Sequence, residues 1–403
     1  MPTKSIKTIS ALTERMYKGK ASYLSKLYSR MAFKTVEYSE KVEGSSPPSV
    51  FIGRYGYPKV AVGPLLADER GDTAILDLPE EWLRSNKGAQ DIVDFRMRLI
   101  RGKQSVNVKD TPAEKKIISV LQEIALAKNS LEVDAEFKKK PVGRFFHEEM
   151  QPFGPSASLK EFSIGNSKFD QKLEKAHYDT DLKAKDAVIQ LYEKDVLFSS
   201  IQKAFSTGAF GLEGNRKLVP TRWSITAVDS TLSQHLLDEL KHYNPIDDYR
   251  VYESTSLNNR FIVLLMPTTW RYEWIEAFFP SIVSEKLEIF GDHERFERKK
   301  GYSPVGGCYY SARLAVAERL TAEKKQAGVV ILREAYPGYI PLGVWNVREN
   351  MRMAMQLGCQ RFETFSAAIN HAASRLKLSL GTWLQHSTLF KEEFVQMRPN
   401  NLV

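Results

Sequence analysis

The longest unbroken apolar run in this 403-residue chain is FIVLLM, Phe261–Met266. A membrane span needs about 20 consecutive apolar residues, so the run is strand-sized and no membrane partner is expected. YRVYES precedes it across the turn TSLNN, and the two apolar stretches read as the arms of a β-hairpin. At this length one core is rarely enough, so two domains, or one large domain with an appended piece, are expected.

Hydrophobic residues make up 42% of the chain, enough for folded cores. Lys and Arg number 58 against 49 Asp and Glu, a net charge of +9 that favours a polyanion as partner. Two cysteines, Cys308 and Cys359, are too few for a zinc site and too far apart for a redox motif, so a reducing, cytoplasmic setting is expected. The histidines lack metal-binding spacing, including His147 in FHEEM, and no metal is expected. Neither a Walker A loop nor a dinucleotide fingerprint occurs, and the cofactor stays unassigned.

Residues 1–42 form a basic arm in which Tyr17, Tyr23 and Tyr28 interleave with lysines and arginines, a composition suited to DNA contact. VEGSSPPSV, Val42–Val50, reads as a linker or an exposed entry to the first sheet. Strands are predicted at Phe51–Ile52, Lys59–Val62 and Ala74–Leu76, and helices at Pro79 onward and Ala113–Ala127, behind Thr111-Pro112. The stretch from Glu132 through PVGRFFHEEMQPFGPSASLKEF reads as a loop-rich crossing, followed by helices over Asp181–Glu193 and Asp195–Phe205. TRWSITAVD reads as a strand feeding a helix Ser230–Tyr243, and DHERFERKKGYSP as a domain boundary. After it, helix Tyr309–Leu320, strand Gly328–Leu332, a Pro/Gly loop, helix Val347–Leu357 and a helical tail make a small α/β unit. The fold class is therefore α/β in the mixed α+β sense: a large N-terminal mixed domain at residues 43–291 and a smaller C-terminal α/β unit at 292–403.

Four segments combine reactive side chains with turn-forming backbone. In GRYGYPKVAVGP, Arg54 offers a planar fork for phosphate, Tyr55 and Tyr57 offer stacking faces, and glycines allow close approach; a hairpin turn with a surface arginine is the plainer reading. In TRWSITAVDST, Arg222 and Trp223 open the predicted strand, and Asp229 closes it as a metal ligand, a base or a helix N-cap. In GYSPVGGCYYSAR, Gly306 and Gly307 precede a helix whose free amides suit an anion. In ILREAYPGYIPLGVWNVREN, the pairs Arg333–Glu334 and Arg348–Glu349 converge either as a buried ion network or as a phosphate-gripping, proton-handling site. Within that set Arg333 is expected to be structural, with Arg348 and Glu334 facing a cleft.

Long, collinear stretches carry a resemblance across most of the chain. FIGRYGYPKVAVGPL, SLKEFSIGNSKFD, VPTRWSITAVDSTLS, GGCYYSARLAVAERL and REAYPGYIPLGVWNVREN, in this order, resemble the archaeal Nre family of DNA-repair proteins. The resemblance implies an N-terminal and a C-terminal Nre-like domain, a role in repair of DNA damage, and DNA as partner; it also brings Lys160 of SLKEFSIGNSKFD into the binding set. Some members bind the replication sliding clamp through a C-terminal Q-x-x-h-x-x-a-a motif, with h aliphatic and a aromatic. From Gln385 the corresponding positions here hold Thr388 and Lys391, so that tail motif is absent. The cysteine-rich segment that opens many members is absent too.

The sequence reading is thus a DNA-repair factor that binds DNA or a nucleotide through Arg54, Tyr55, Tyr57, Lys160, Arg222, Trp223, Gly306, Gly307, Arg333 and Arg348. Asp229, Glu334 and Glu349 are its candidate catalytic groups if it is an enzyme. The alternative is a non-catalytic DNA-binding adaptor whose polar motifs maintain structure.

Overall fold

The computed structural model describes residues 38–143, 145–147, 150–280 and 286–396. Residues 1–37, most of the predicted basic arm, and Glu148 and Glu149 lie outside the described residues. The chain forms two compact units, divided between Leu232 and Ser233. Both mix helices and strands, as the sequence pattern predicts.

In the first unit one sheet contains β1 (Lys41–Ser46), β2 (Val50–Ile52), β3 (Lys59–Ala67), β4 (Leu99–Asn107), β5 (Leu131–Phe137) and β8 (Ser156–Ile164), ordered β1-β5-β8-β4-β3-β2. A small hairpin, β6 (Phe145–His147) and β7 (Met150–Phe153), precedes β8. The helices are α1 (Pro79–Arg84), α2 (Ala89–Met97), α3 (Lys116–Leu126), α4 (Gln171–Tyr178), α5 (Ala184–Glu193) and α6 (Phe198–Ser206). Ile117, Ile118, Leu121 and Ile124 of α3 share a core with Val60, Val62, Leu66, Ile100, Val133 and Phe137 from the sheet. Such apolar stripes, not propensity, supply most of the helix stability.

Several sequence expectations are corrected here. VEGSSPPSV is no linker: Val42–Ser46 lies in β1, and Gly44 is needed because a Cβ there would stand 2.1 Å from the Ala67 carbonyl oxygen. Ala74–Asp77 is a 3₁₀ turn, fastened where Trp82 Nε1 donates to Ile75 O at 2.6 Å. The predicted crossing after Glu132 contains β5 and β8. In β5, Leu131, Val133, Ala135 and Phe137 turn inward, while the intervening Glu132, Asp134 and Glu136 face outward and give the stretch its loop-like charge. Helix α3 starts at Lys116, since Thr111 and Glu114 close a separate turn in which Thr111 N donates to Glu114 Oε2 at 2.7 Å. TRWSITAVD is not a strand at all. It opens a continuous helix, α7 (Thr221–Leu240), inside which the division between units falls.

The second unit holds a six-stranded sheet of β9 (Tyr249–Ser256), β10 (Asn259–Met266), β11 (Arg271–Phe278), β12 (Glu288–Glu294), β13 (Gly328–Ala335) and β14 (Gln360–Phe362), ordered β12-β11-β13-β10-β9-β14. FIVLLM lies in β10, and its hairpin with β9 turns at Leu257 and Asn258, both at positive φ (50° and 56°), the conformation of a tight two-residue hairpin loop. One sheet face packs Ile262, Leu264, Ile275, Val330 and Leu332 against residues of α10 (Phe365–Ser374), α11 (Leu380–His386) and α12 (Thr388–Gln396). Helices α8 (Gly307–Ala322) and α9 (Trp345–Gln356) meet the sheet through other side chains: Tyr272 donates to Tyr309 O at 2.9 Å, and Ser254 to Asn350 Oδ1 at 3.0 Å.

Candidate functional site

Strands β2 and β3 are joined by Gly53–Pro58, a turn closed by Gly53 N donating to Ala61 O at 2.8 Å and Lys59 N to Gly56 O at 3.0 Å. Gly56 sits at φ +79°, where a side chain is strained and a Cβ would stand 2.8 Å from the Lys59 oxygen. The turn leaves Tyr55 62% and Tyr57 49% exposed, and sets the Arg54 guanidinium 5.2 Å from the Tyr55 ring centroid.

The first turn of α7 stands beside it. Thr221 Oγ1 accepts from Ile52 N at 2.9 Å, pinning the helix start to β2, and Ser224, fully buried, accepts from Gln202 Nε2 at 2.6 Å. Trp223 between them is 45% exposed, and its ring centroid lies 5.2 Å from that of Tyr57 with the planes 52° apart. The two rings touch without stacking on each other.

Backbone pairing brings two more segments to the same edge. Val108 N donates to Pro58 O and Leu218 N to Val108 O, both at 2.9 Å. Val60, Val108 and Leu218 enter the core, and their neighbours Lys59, Lys109 and Lys217 are therefore turned to solvent. Residues 53–59, 107–110 and 217–223 together hold five cations, Arg54, Lys59, Lys109, Lys217 and Arg222, against one carboxylate, Asp110. That carboxylate already accepts from Asn107 N at 2.9 Å. The edge can therefore offer positive charge to a polyanion and aromatic faces to a planar ring.

The chain matches the family model described as Archaeal Nre, N-terminal over residues 18–284 and that described as Archaeal Nre, C-terminal over residues 294–399. It belongs to the archaeal Nre family. It is 41% identical over 362 residues to DNA repair protein NreB of Archaeoglobus fulgidus, covering 88% of this chain and 90% of that protein. It is 36% identical to DNA repair protein NreA of the same organism, covering 85% and 88%. Against DNA repair protein NreA of Haloferax volcanii the identity is 31%, covering 87% and 88%. No solved structure matches.

The remaining predicted residues of this Nre chain belong to other elements. Lys160 stands on β8, separated from β3 by β4, in an ion pair with Glu136 at 2.7 Å. Asp229 is fully buried in the interior of α7, neither at a strand end nor at a helix N-cap. Gly306, at φ +75°, precedes α8, which Gly307 opens.

The two Arg-Glu pairs are not one constellation. Arg333 and Glu334 are neighbours in β13 and point to opposite sheet faces, so they cannot act at one point. Arg333, 2% exposed, pairs with Glu276 at 2.7 Å, donates to Asn259 Oδ1 at 2.8 and 3.0 Å, and lies over Phe261, Phe278 and Tyr339. Glu334, fully buried, accepts from the amides of Lys377 at 2.9 Å and Leu378 at 2.7 Å and from the Tyr336 hydroxyl. It therefore holds a chain connection, which corrects the expectation that it faces a cleft. Glu349 accepts from Arg348 and Arg352, each at 3.2 Å, and Arg352 grips Glu318 of α8 with two bonds of 2.6 and 2.9 Å. Among the described residues no three His, Cys, Asp or Glu side chains form a metal-holding group.

Sequence reasoning missed Lys59, Lys109 and Lys217. Their only local signal is a lysine beside a buried aliphatic residue, and the pairing that gathers them joins positions far apart in the chain.

Proposed function

We propose that this Nre-family protein is a DNA-repair factor that holds DNA on the basic, aromatic edge around Tyr57 and Trp223. One observation carries the reading: the segments 53–59, 107–110 and 217–223, joined by backbone pairing, carry three exposed aromatic rings, five cations and one carboxylate. Exposed aromatic and basic side chains held on rigid backbone are the usual means of holding a nucleic-acid strand. The names of the relatives, DNA repair proteins NreA and NreB, support the repair setting.

A binding role is favoured over a chemical one. Glu334 and Glu349, two of the candidate acid–base groups, already accept hydrogen bonds from named donors, and Asp229 is fully buried. The test is DNA affinity across salt concentrations for the full chain and for Lys109→Glu/Lys217→Glu. Loss of two phosphate contacts should weaken binding uniformly across sequences and reduce the salt slope by about two. An unchanged slope removes these lysines from the interface.

A further inference from the structure

We infer that the ligand of this edge is unpaired DNA, with a base stacked on Trp223 and the five cations on its backbone. The inference rests on the DNA-binding reading above and narrows it.

A duplex keeps its base faces inside the stack and presents phosphates and groove edges. Cations alone suffice to hold its backbone, and exposed indole and phenol rings add little to that contact. The faces of an unpaired base are open, and base–aromatic stacking is the main sequence-tolerant contact available to it. Here three large rings are kept in water at 45%, 49% and 62% exposure, and the Arg54 guanidinium lies 5.2 Å from the centroid of one of them, Tyr55. The 52° tilt between Tyr57 and Trp223 means that neither ring covers the other's face.

The backbone that carries Trp223 and Tyr57 is also held in place. Trp223 sits between Thr221, bonded to Ile52, and Ser224, bonded to Gln202, and Tyr57 sits inside the closed turn Gly53–Pro58. An aromatic platform of this kind loses little entropy when a base settles on it.

The chain carries its own reporter. Trp82, Trp270, Trp274 and Trp383 are fully buried and Trp345 is 5% exposed, so of the six tryptophans Trp223 alone meets solvent. We would titrate the full chain with an oligothymidylate and with a duplex of equal length at the same salt, reading tryptophan emission and, separately, anisotropy of the labelled DNA. Expected are tighter binding of the single strand and quenching that disappears in Trp223→Phe. Trp223→Ala should weaken single-strand binding roughly ten- to hundredfold and duplex binding by less than about threefold, whereas Trp223→Phe, which keeps a stacking face, should retain most of the affinity.

Equal affinity for both DNAs, or a single strand that binds without quenching Trp223, overturns the inference and leaves the DNA-binding reading standing. Absence of binding to either DNA at low salt overturns both. A melting temperature matching the parent for each variant confirms that the comparison concerns folded protein.

Discussion

Arg333 and Glu276 form a pair whose removal should be felt throughout the second unit. Both are nearly excluded from water, at 2% and 3% exposure, and meet at 2.7 Å. Arg333→Met fills much of the same space but leaves the Glu276 carboxylate buried without its cation. Breaking a buried pair from one side costs about 3–5 kcal/mol. It also removes both donors from Asn259 Oδ1, whose unmet acceptor adds to that cost. The double variant Arg333→Met/Glu276→Leu removes the stranded charge, and replacing a buried pair with apolar groups is often close to neutral. It should therefore recover most of the loss, leaving about 1–3 kcal/mol for the orphaned Asn259 oxygen. Urea unfolding read by tryptophan emission, which samples Trp270, Trp274 and Trp383 in this unit, gives the values as shifts in midpoint. A single-variant loss below about 1 kcal/mol, or a double variant as unstable as the two singles added, would refute the reasoning.

Three further outcomes are expected. Burial works to raise the Asp77 pKa, but Lys203 at 3.2 Å, Arg96 and the Ser49 hydroxyl outweigh it and hold the carboxyl below its ordinary value. Its contribution to stability is therefore present above the unfolded-state pKa and lost as pH falls through the depressed folded value. Asp77→Asn should accordingly lower the melting temperature at neutral pH and flatten its acid-side fall, and a parallel acid limb would contradict this. Gly56→Ala forces a side chain into positive φ against the Lys59 oxygen, costing about 1 kcal/mol or more, and should weaken DNA binding through displacement of Tyr55 and Tyr57. Unchanged affinity would separate the turn from the interface. No sliding-clamp capture through the tail is expected, because Leu389 and Phe390 are buried and positions 388 and 391 hold Thr and Lys; clamp retention that Gln385→Ala abolishes would overturn this.

Where local pattern and tertiary demand agree, the sequence is easily read. FIVLLM is a strand, and its hairpin turn carries an asparagine where positive φ is required. Where packing overrides propensity, it is misread. Ile225, Thr226 and Val228 look like strand residues yet lie in α7, and the acids of β5 hide an alternating core stripe. The Arg-Tyr-Gly-Tyr corner is legible because turn chemistry and stacking residues occur together within a few positions. The lysines beside it are not, since contact between Pro58, Val108 and Leu218 is a property of the fold. The supposed convergence of the Arg333–Glu334 and Arg348–Glu349 pairs fails for a simpler reason: the two-residue period of a strand sends Arg333 and Glu334 to opposite sheet faces.

Two carboxylates rise from the sheet into the layer formed by α10, α11 and α12: Glu334, and Glu273, which accepts from the amides of Thr388 at 2.7 Å and Leu389 at 3.1 Å and from the Ser387 hydroxyl. They bind the joints between helices, the places where a chain ordinarily opens first. The amides of Lys377, Leu378, Thr388 and Leu389 should therefore exchange with solvent deuterium as slowly as those of the strands beneath them, so that the helical layer and the sheet open as one cooperative body.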